Sequence, residues 1–288
     1  MQVHHLNACT LCPHSARLVN GTGPWLGRAR MVCHVLVVET GRGVVLVDTG
    51  LGTGDVAAPE RLGARWVRQV APRLDPAETV VAQLSALGLA AADVTDVVLT
   101  QLDVDHAGGI ADFPRARIHV HAREHEAATQ GIGNRAAVRY IADHWKHAPR
   151  WATFGDGGER WFGFDGVRAL DHEPEILLIP LPGHTVGHTG VAVRASGRWL
   201  LHAGDGYFFH GQVATPPSAP LVLRMFQRRS DMDRAERIAN QDRLRALVAR
   251  HGDEVTVFCA HDPVELARLA GAASYETKET PSPVKPAR

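Results

Sequence analysis

Between Leu99 and Gly109 the chain reads Leu99-Thr100-Gln101-Leu102-Asp103-Val104-Asp105-His106-Ala107-Gly108-Gly109, an apolar run that ends in alternating polar residues and a glycine turn. Side chains two positions apart on an extended segment project the same way, so Gln101, Asp103 and Asp105 share a side and His106 turns inward where the chain bends. Carboxylates crowded beside an imidazole repel one another unless protons or a cation neutralise them, which favours a divalent metal. Three further segments carry residues of the same types. Leu181-Pro182-Gly183-His184-Thr185-Val186-Gly187-His188-Thr189 is a Gly-rich turn with two histidines, Leu200-Leu201-His202-Ala203-Gly204-Asp205 ends an apolar run in an aspartate, and Val255-Thr256-Val257-Phe258-Cys259-Ala260-His261 ends another in a histidine. Ligands gathered from several strand ends make a rigid metal site. Histidine is abundant, at 17 residues against 15 for Phe, Tyr and Met together, and its imidazole is a common metal ligand.

The elements that must position these residues show in the apolar pattern. Val- and Leu-rich runs at Val32–Val38, Val44–Val47, Val97–Leu99, Ile118–Val120, Ile176–Ile179, Val191–Val193 and Val255–Cys259 predict buried strands, the first two joined as a hairpin through Gly41-Arg42-Gly43. Pro76–Leu87, between Asp75 and Gly88, predicts a capped helix, and Asp231–Arg250 a longer one ending at Gly252. Strands interleaved with helices predict sheets covered by helices on their outer faces. The stretches Thr10–Arg30, Gly131–Asp165 and Gly206–Ser230 lack a period and are rich in Gly, Pro and aromatics, including Trp25, Trp145, Trp151, Trp161, Phe208, Phe209 and Phe226. They are expected to be long loops that wall or cover a pocket. One domain is expected over residues 1–270, followed by a polar, Pro-rich disordered tail over 271–288.

Composition narrows the partners. Lys plus Arg and Asp plus Glu are both 31, so no net field favours nucleic acid or an anionic membrane, and a small-molecule substrate is expected. Neither a basic, apolar leader nor a membrane-spanning run is evident, and the four cysteines are too few and uneven for a disulfide framework. A cytoplasmic protein with reduced thiols is the expectation, and a homodimer is compatible with it. Cys9 and Cys12 have the spacing of half a zinc knuckle without a second pair, and Cys33 and Cys259 fall in core strands, so no cysteine metal site is expected.

In the order and spacing of these segments the chain resembles the metallo-β-lactamase superfamily, whose pattern is T-H-x-H-x-D-H-x-G-G, a P-G-H-T-x-G-H turn, a G-D and a late histidine. Val47-Asp48-Thr49-Gly50 resembles that family's early V-D-T-G turn. The resemblance implies a four-layer αββα sandwich and metal-assisted hydrolysis, in which a metal-bound hydroxide attacks a lactone or ester carbonyl and Asp105 orients the nucleophile. Carried over, it makes Asp105, His106 and His261 ligands of one ion and Asp205 a bridge to its neighbour. The neighbour would be held by Gln101, Asp103 and His184, where the family has three imidazoles. The plan is similar to the quorum-quenching lactonase branch, and Tyr207 would donate to the carbonyl or leaving oxygen, although that branch carries its tyrosine one position later. His188 and His202 are expected to support rather than ligate, and Asp48 to fix the turns beneath the site.

The substitutions have chemical consequences. An amide oxygen is a weak ligand, so Gln101 is expected to bind metal poorly or to hydrogen-bond to Asp103 instead. Asp103 is a competent oxygen ligand, and the site would take one or two zinc ions, with iron or manganese tolerated. Two ions facing three aspartates would leave little residual charge and shift the activity optimum to higher pH. Three other readings stay open: a mononuclear hydrolase with the Gln101 side vacant, an iron-dependent oxidoreductase of the same fold, and a non-catalytic metal-binding regulator.

Overall fold

The computed structural model describes residues 2–131, 139–172 and 175–276, with side chains up to residue 271. Two six-stranded sheets form its centre. The first contains β1 (Val3–Leu11), β2 (Met31–Thr40), β3 (Gly43–Val47), β4 (Val94–Val98), β5 (Arg117–His121) and β6 (Arg150–Phe154) in that spatial order. The second runs β12-β11-β10-β9-β8-β7, where β7 is Glu159–Trp161, β8 Phe164–Leu170, β9 Ile176–Pro180, β10 Thr189–Ala195, β11 Arg198–His202 and β12 Val255–Phe258.

Alternation explains the layering. On β2, Leu36 and Val38 pack between the sheets with Val45, Val47 and Val98 of the first sheet and Ile176, Leu178, Val191, Val193 and Phe258 of the second. Val35 and Val37 point the other way and meet Val80 and Leu84 of the helix Val80–Ala86. On the far side Leu177, Ile179, Ala192, Leu201 and Val257 meet Leu244 and Leu247 of the helix Arg234–His251. Strands buried on both faces read as continuous apolar runs, which is why these seven were visible in the sequence. The result is the αββα sandwich.

The differences are physical. β1, β6, β7, β8 and β11 are not among the expected strands, because His4 and His5 in β1 and exposed Arg150, Glu159, Arg168 and Arg198 in the others shorten or break the apolar run. The helix expected from Pro76 splits: Asp75 caps a 3-10 turn at Pro76–Glu78, and Thr79 then caps Val80–Ala86 through its hydroxyl. Asp233 rather than Asp231 caps the long helix, and Leu221–Ser230, expected as loop, is a helix. Residues 271–276, expected in the tail, continue the helix Pro263–Glu276, and 277–288 lie outside the described residues. No helix among the described residues is long and apolar enough to cross a membrane.

Chain direction gathers the chemistry on one edge. β9, β11 and β12 run parallel to one another, so the turns after them leave the second sheet on the same side. Backbone bonds fasten that edge to the first sheet, from His34 N to Ala260 O and from Thr189 N to Thr100 O, each at 2.9 Å, while Ala260 N to Gly204 O at 3.0 Å ties together the turns after β12 and β11.

Candidate metal centre

The turn at Asp48 is the base of the site. Asp48 sits at φ 61°, and its carboxylate accepts from Thr100 N and Thr100 Oγ1, each at 2.8 Å, which fixes the segment leaving β4. The same carboxylate takes the Nδ1–H of His106 at 2.8 Å, and His106 rides on the single helical turn Val104–Ala107. His261 is set in the same way, with Nδ1–H donating to Val32 O at 2.8 Å. In both rings the proton is therefore on Nδ1, and the lone pair of Nε2 faces inward. An imidazole oriented by a carboxylate or carbonyl on its outer nitrogen is the usual arrangement of a metal ligand. His188 supports the next turn: Nδ1–H donates to Leu181 O at 2.8 Å and Nε2 accepts from Asp205 N at 2.9 Å. Gly204 has φ +51°, and a Cβ there would stand 2.5 Å from His188 Nε2, so glycine is required to deliver Asp205.

The two inward lone pairs converge on one oxygen. Asp205 Oδ1 lies 3.4 Å from His106 Nε2 and 3.0 Å from His261 Nε2, and Asp105 Oδ2 is 3.7 Å from His261 Nε2. His106 Nε2 and Asp205 Oδ1 are buried without a hydrogen-bond partner among the described residues. Unpaired buried groups of this kind are costly, and a cation between them removes the cost. Burial opposes charge on His106, yet the Asp205 and Asp48 carboxylates beside it hold its pKa well above the usual range. Burial pushes the Asp105 carboxyl up in turn. The residues present therefore fit a divalent ion. Cys33 departs from expectation: a donor atom from each of Cys33, Asp105 and His261 lies within 4.8 Å of the others. Nothing local in the sequence marks it, because it sits inside an apolar strand.

The other half of the expected site is arranged differently. Gln101 Nε2 donates to Asp205 Oδ2 at 2.8 Å, not to Asp103, so the amide braces the aspartate. Asp103 is clamped by Arg139, whose Nε and Nη2 meet its two carboxylate oxygens. Arg139 Nη2 also lies 2.7 Å from His184 Nε2, and Nη1 donates to Ser230 O at 2.5 Å. Sequence reasoning missed Arg139 because it stands in an aperiodic stretch far from any motif residue. His184 Nε2 is 3.0 Å from Asp205 Oδ2 and 3.3 Å from Asp103 Oδ2, so the structure does gather all the motif residues at one edge.

Tyr207 requires a correction. It is fully buried in the core beneath the second sheet, and its hydroxyl donates to Glu265 Oε1 at 2.9 Å, so it is committed there and is not a donor to substrate. Its neighbour Phe208 is the residue beside the centre, with ring centroids 5.1 Å from His261 and 5.7 Å from His184. His202 is buried and bonds to His34 O at 2.7 Å, in the supporting role expected. The aromatics of the aperiodic stretches divide: Phe208, Phe209 and Phe226 cluster together, Trp145 and Trp151 pack on the first sheet's core, Trp161 on the second's, and Trp25 is exposed.

Comparison with known proteins agrees with this geometry. The description of the metallo-β-lactamase superfamily matches residues 28–251. The chain belongs to that superfamily. A probable metallo-hydrolase of Mycobacterium tuberculosis is 39% identical over 271 residues, 94% of this chain and 83% of the relative. An N-acyl homoserine lactonase of Azorhizobium caulinodans is 28% identical over 202 residues, 69% of each chain. Among solved structures, an N-acyl homoserine lactone hydrolase with its product bound at the catalytic metal centre superposes with a TM-score of 0.69 over 93% of this chain and 97% of that one, at 18% identity. That likeness is one of fold. The chain is a metallo-hydrolase of the superfamily, and the side chain packed against His184 and His261 of its centre is Phe208.

Proposed function

We propose that this metallo-hydrolase cleaves a lactone or ester, with zinc held by Asp105, His106, Asp205 and His261. The observation that carries the proposal is the pair of imidazoles locked with Nδ1 protonated and Nε2 aimed at the unpaired Asp205 Oδ1. When bound, the ion supplies an acidified water and polarises a carbonyl. Two imidazoles with a carboxylate, and a thiol nearby, suit zinc better than harder metals. The lactonases among the relatives favour a cyclic ester as substrate.

The chain's own residues perform the remaining tasks. Asp105, at the mouth of the one-turn helix, orients the attacking water, and Asp48 keeps His106 in the ligating tautomer. Phe208 excludes water from one side of the centre and offers an apolar wall to the acyl part of a small-molecule substrate. With Tyr207 committed to Glu265 and Tyr140 to Glu124, the phenols among the described side chains are engaged elsewhere, and the alkoxide released by ring opening takes its proton from solvent or from the water that Asp105 positions.

The test is a panel of acyl lactones and aryl esters assayed with zinc-loaded protein and with Asp205→Asn. Hydrolysis of at least one lactone, lost to the uncatalysed background in the variant, is expected. A fully active Asp205→Asn enzyme would overturn the assignment.

A further inference from the structure

We propose that the guanidinium of Arg139 is a built-in cation that replaces the second metal ion, so that this chain works with one ion and one arginine where a dinuclear relative uses two ions. The inference rests on the metal reading above and concerns the other half of the same site. Distance alone does not exclude a second ion, since donor atoms of Asp103, His184 and Asp205 lie within 4.8 Å of one another. Occupancy of those atoms does. Both oxygens of Asp103 receive N–H groups of Arg139 in a two-pronged pair. The contact of Arg139 Nη2 with His184 Nε2 at 2.7 Å requires a lone pair on one side, and a guanidinium has none, so His184 Nε2 is the acceptor. Asp205 Oδ2 accepts the Gln101 amide. Each donor that an ion would need, apart from the weak Gln101 Oε1, is already taken.

The arginine is held in place. Nη1 is tied to Ser230 O at the end of its helix. The next residue, Tyr140, donates to Glu124 Oε1 at 3.0 Å, and Glu124 also accepts from Leu102 N and Gly187 N, each at 3.0 Å. One buried carboxyl thus fastens Arg139's neighbour to the segment bearing Asp103 and to the turn bearing His184. Charge closes as well. The carboxylates of Asp103, Asp105 and Asp205 are balanced by one divalent ion and one guanidinium with all imidazoles neutral, whereas a second ion beside Arg139 would leave uncompensated positive charge in a buried site. Gln101 and Asp103 read in this light as one substitution: the imidazoles of the H-x-H motif are replaced by an amide that braces Asp205 and a carboxylate that binds arginine. For a substrate, the guanidinium is the group placed to meet developing negative charge on the carbonyl oxygen, as a second ion would elsewhere.

The experiment is zinc stoichiometry of metal-stripped, refilled protein, by elemental analysis and calorimetric titration. The expected result is one equivalent for the native chain and for Arg139→Lys, a second and weaker equivalent for Arg139→Ala, and two tight equivalents for Gln101→His/Asp103→His/Arg139→Ala. Arg139→Ala alone decides the matter if the triple variant does not fold. Two equivalents in the native chain, or an Arg139→Ala protein that still takes only one, overturns the proposal while leaving the metal reading intact. A native chain that binds no zinc overturns both.

Discussion

The two halves of the centre are built from the same sheet edge and share Asp205, yet they meet the problem of buried negative charge in opposite ways. Around His106 and His261 the protein supplies lone pairs and no cation, leaving His106 Nε2 and Asp205 Oδ1 unpaired. Around Asp103 and His184 it supplies Arg139 and Gln101, and the same kinds of acceptor are satisfied by N–H groups. The contrast teaches that a ligand-like cluster is identified as a metal site by what its acceptors lack, not by which residues assemble. It also removes the basis for the alkaline shift expected from three aspartates facing two ions, since Asp103 is neutralised by an arginine.

The largest effect should come from unbalancing the arginine half. Asp103→Ala leaves a nearly buried guanidinium uncompensated, with Arg139 only 15% exposed, and should cost about 3–5 kcal/mol of stability in urea unfolding. An unchanged midpoint would show that Arg139 finds water easily and that the two halves are less distinct than drawn. In the metal half, Asp48→Asn keeps shape but weakens the hold on the His106 tautomer, and zinc affinity should fall by about 10- to 100-fold with the Asp103 half unaffected. Equal affinity would mean that Nε2 is set by something other than Asp48.

A smaller effect separates both halves from the core beneath them. Burial pushes the Glu265 carboxyl up to about 7 from its ordinary 4.5, where it accepts from Tyr207 and Cys259 N. The folded protein holds that proton more tightly than the unfolded chain, so the associated stability is fully present below pH 4.5 and is lost as pH rises through about 7. Thermal unfolding followed across this window should show a decline in the native chain that is reduced in Glu265→Gln. Parallel curves would place the titration elsewhere.

Most of the fold was legible because the central strands are buried on both faces, so each reads as an unbroken apolar run, as in Val32–Val38. The more polar strands were not, since β1 carries two imidazoles, His4 and His5, and β8 carries exposed Asp165 and Arg168. The motif residues were legible through their spacing at strand ends. What their side chains do was less so: Gln101 bonds to Asp205 rather than Asp103, and Tyr207 lies one position from the residue that faces the centre, a difference of side on an irregular turn. Arg139 and Cys33 had no local mark at all, because the first reaches the site across 36 residues of sequence and the second through sheet packing.

The central claim, that a cation belongs between two tautomer-locked imidazoles and Asp205, is tested most directly by anomalous scattering at the zinc absorption edge from crystals of the zinc-loaded protein. The account predicts one peak within bonding distance of His106 Nε2, Asp205 Oδ1 and His261 Nε2. A zinc peak elsewhere, or none in crystals with these three side chains ordered, would contradict it.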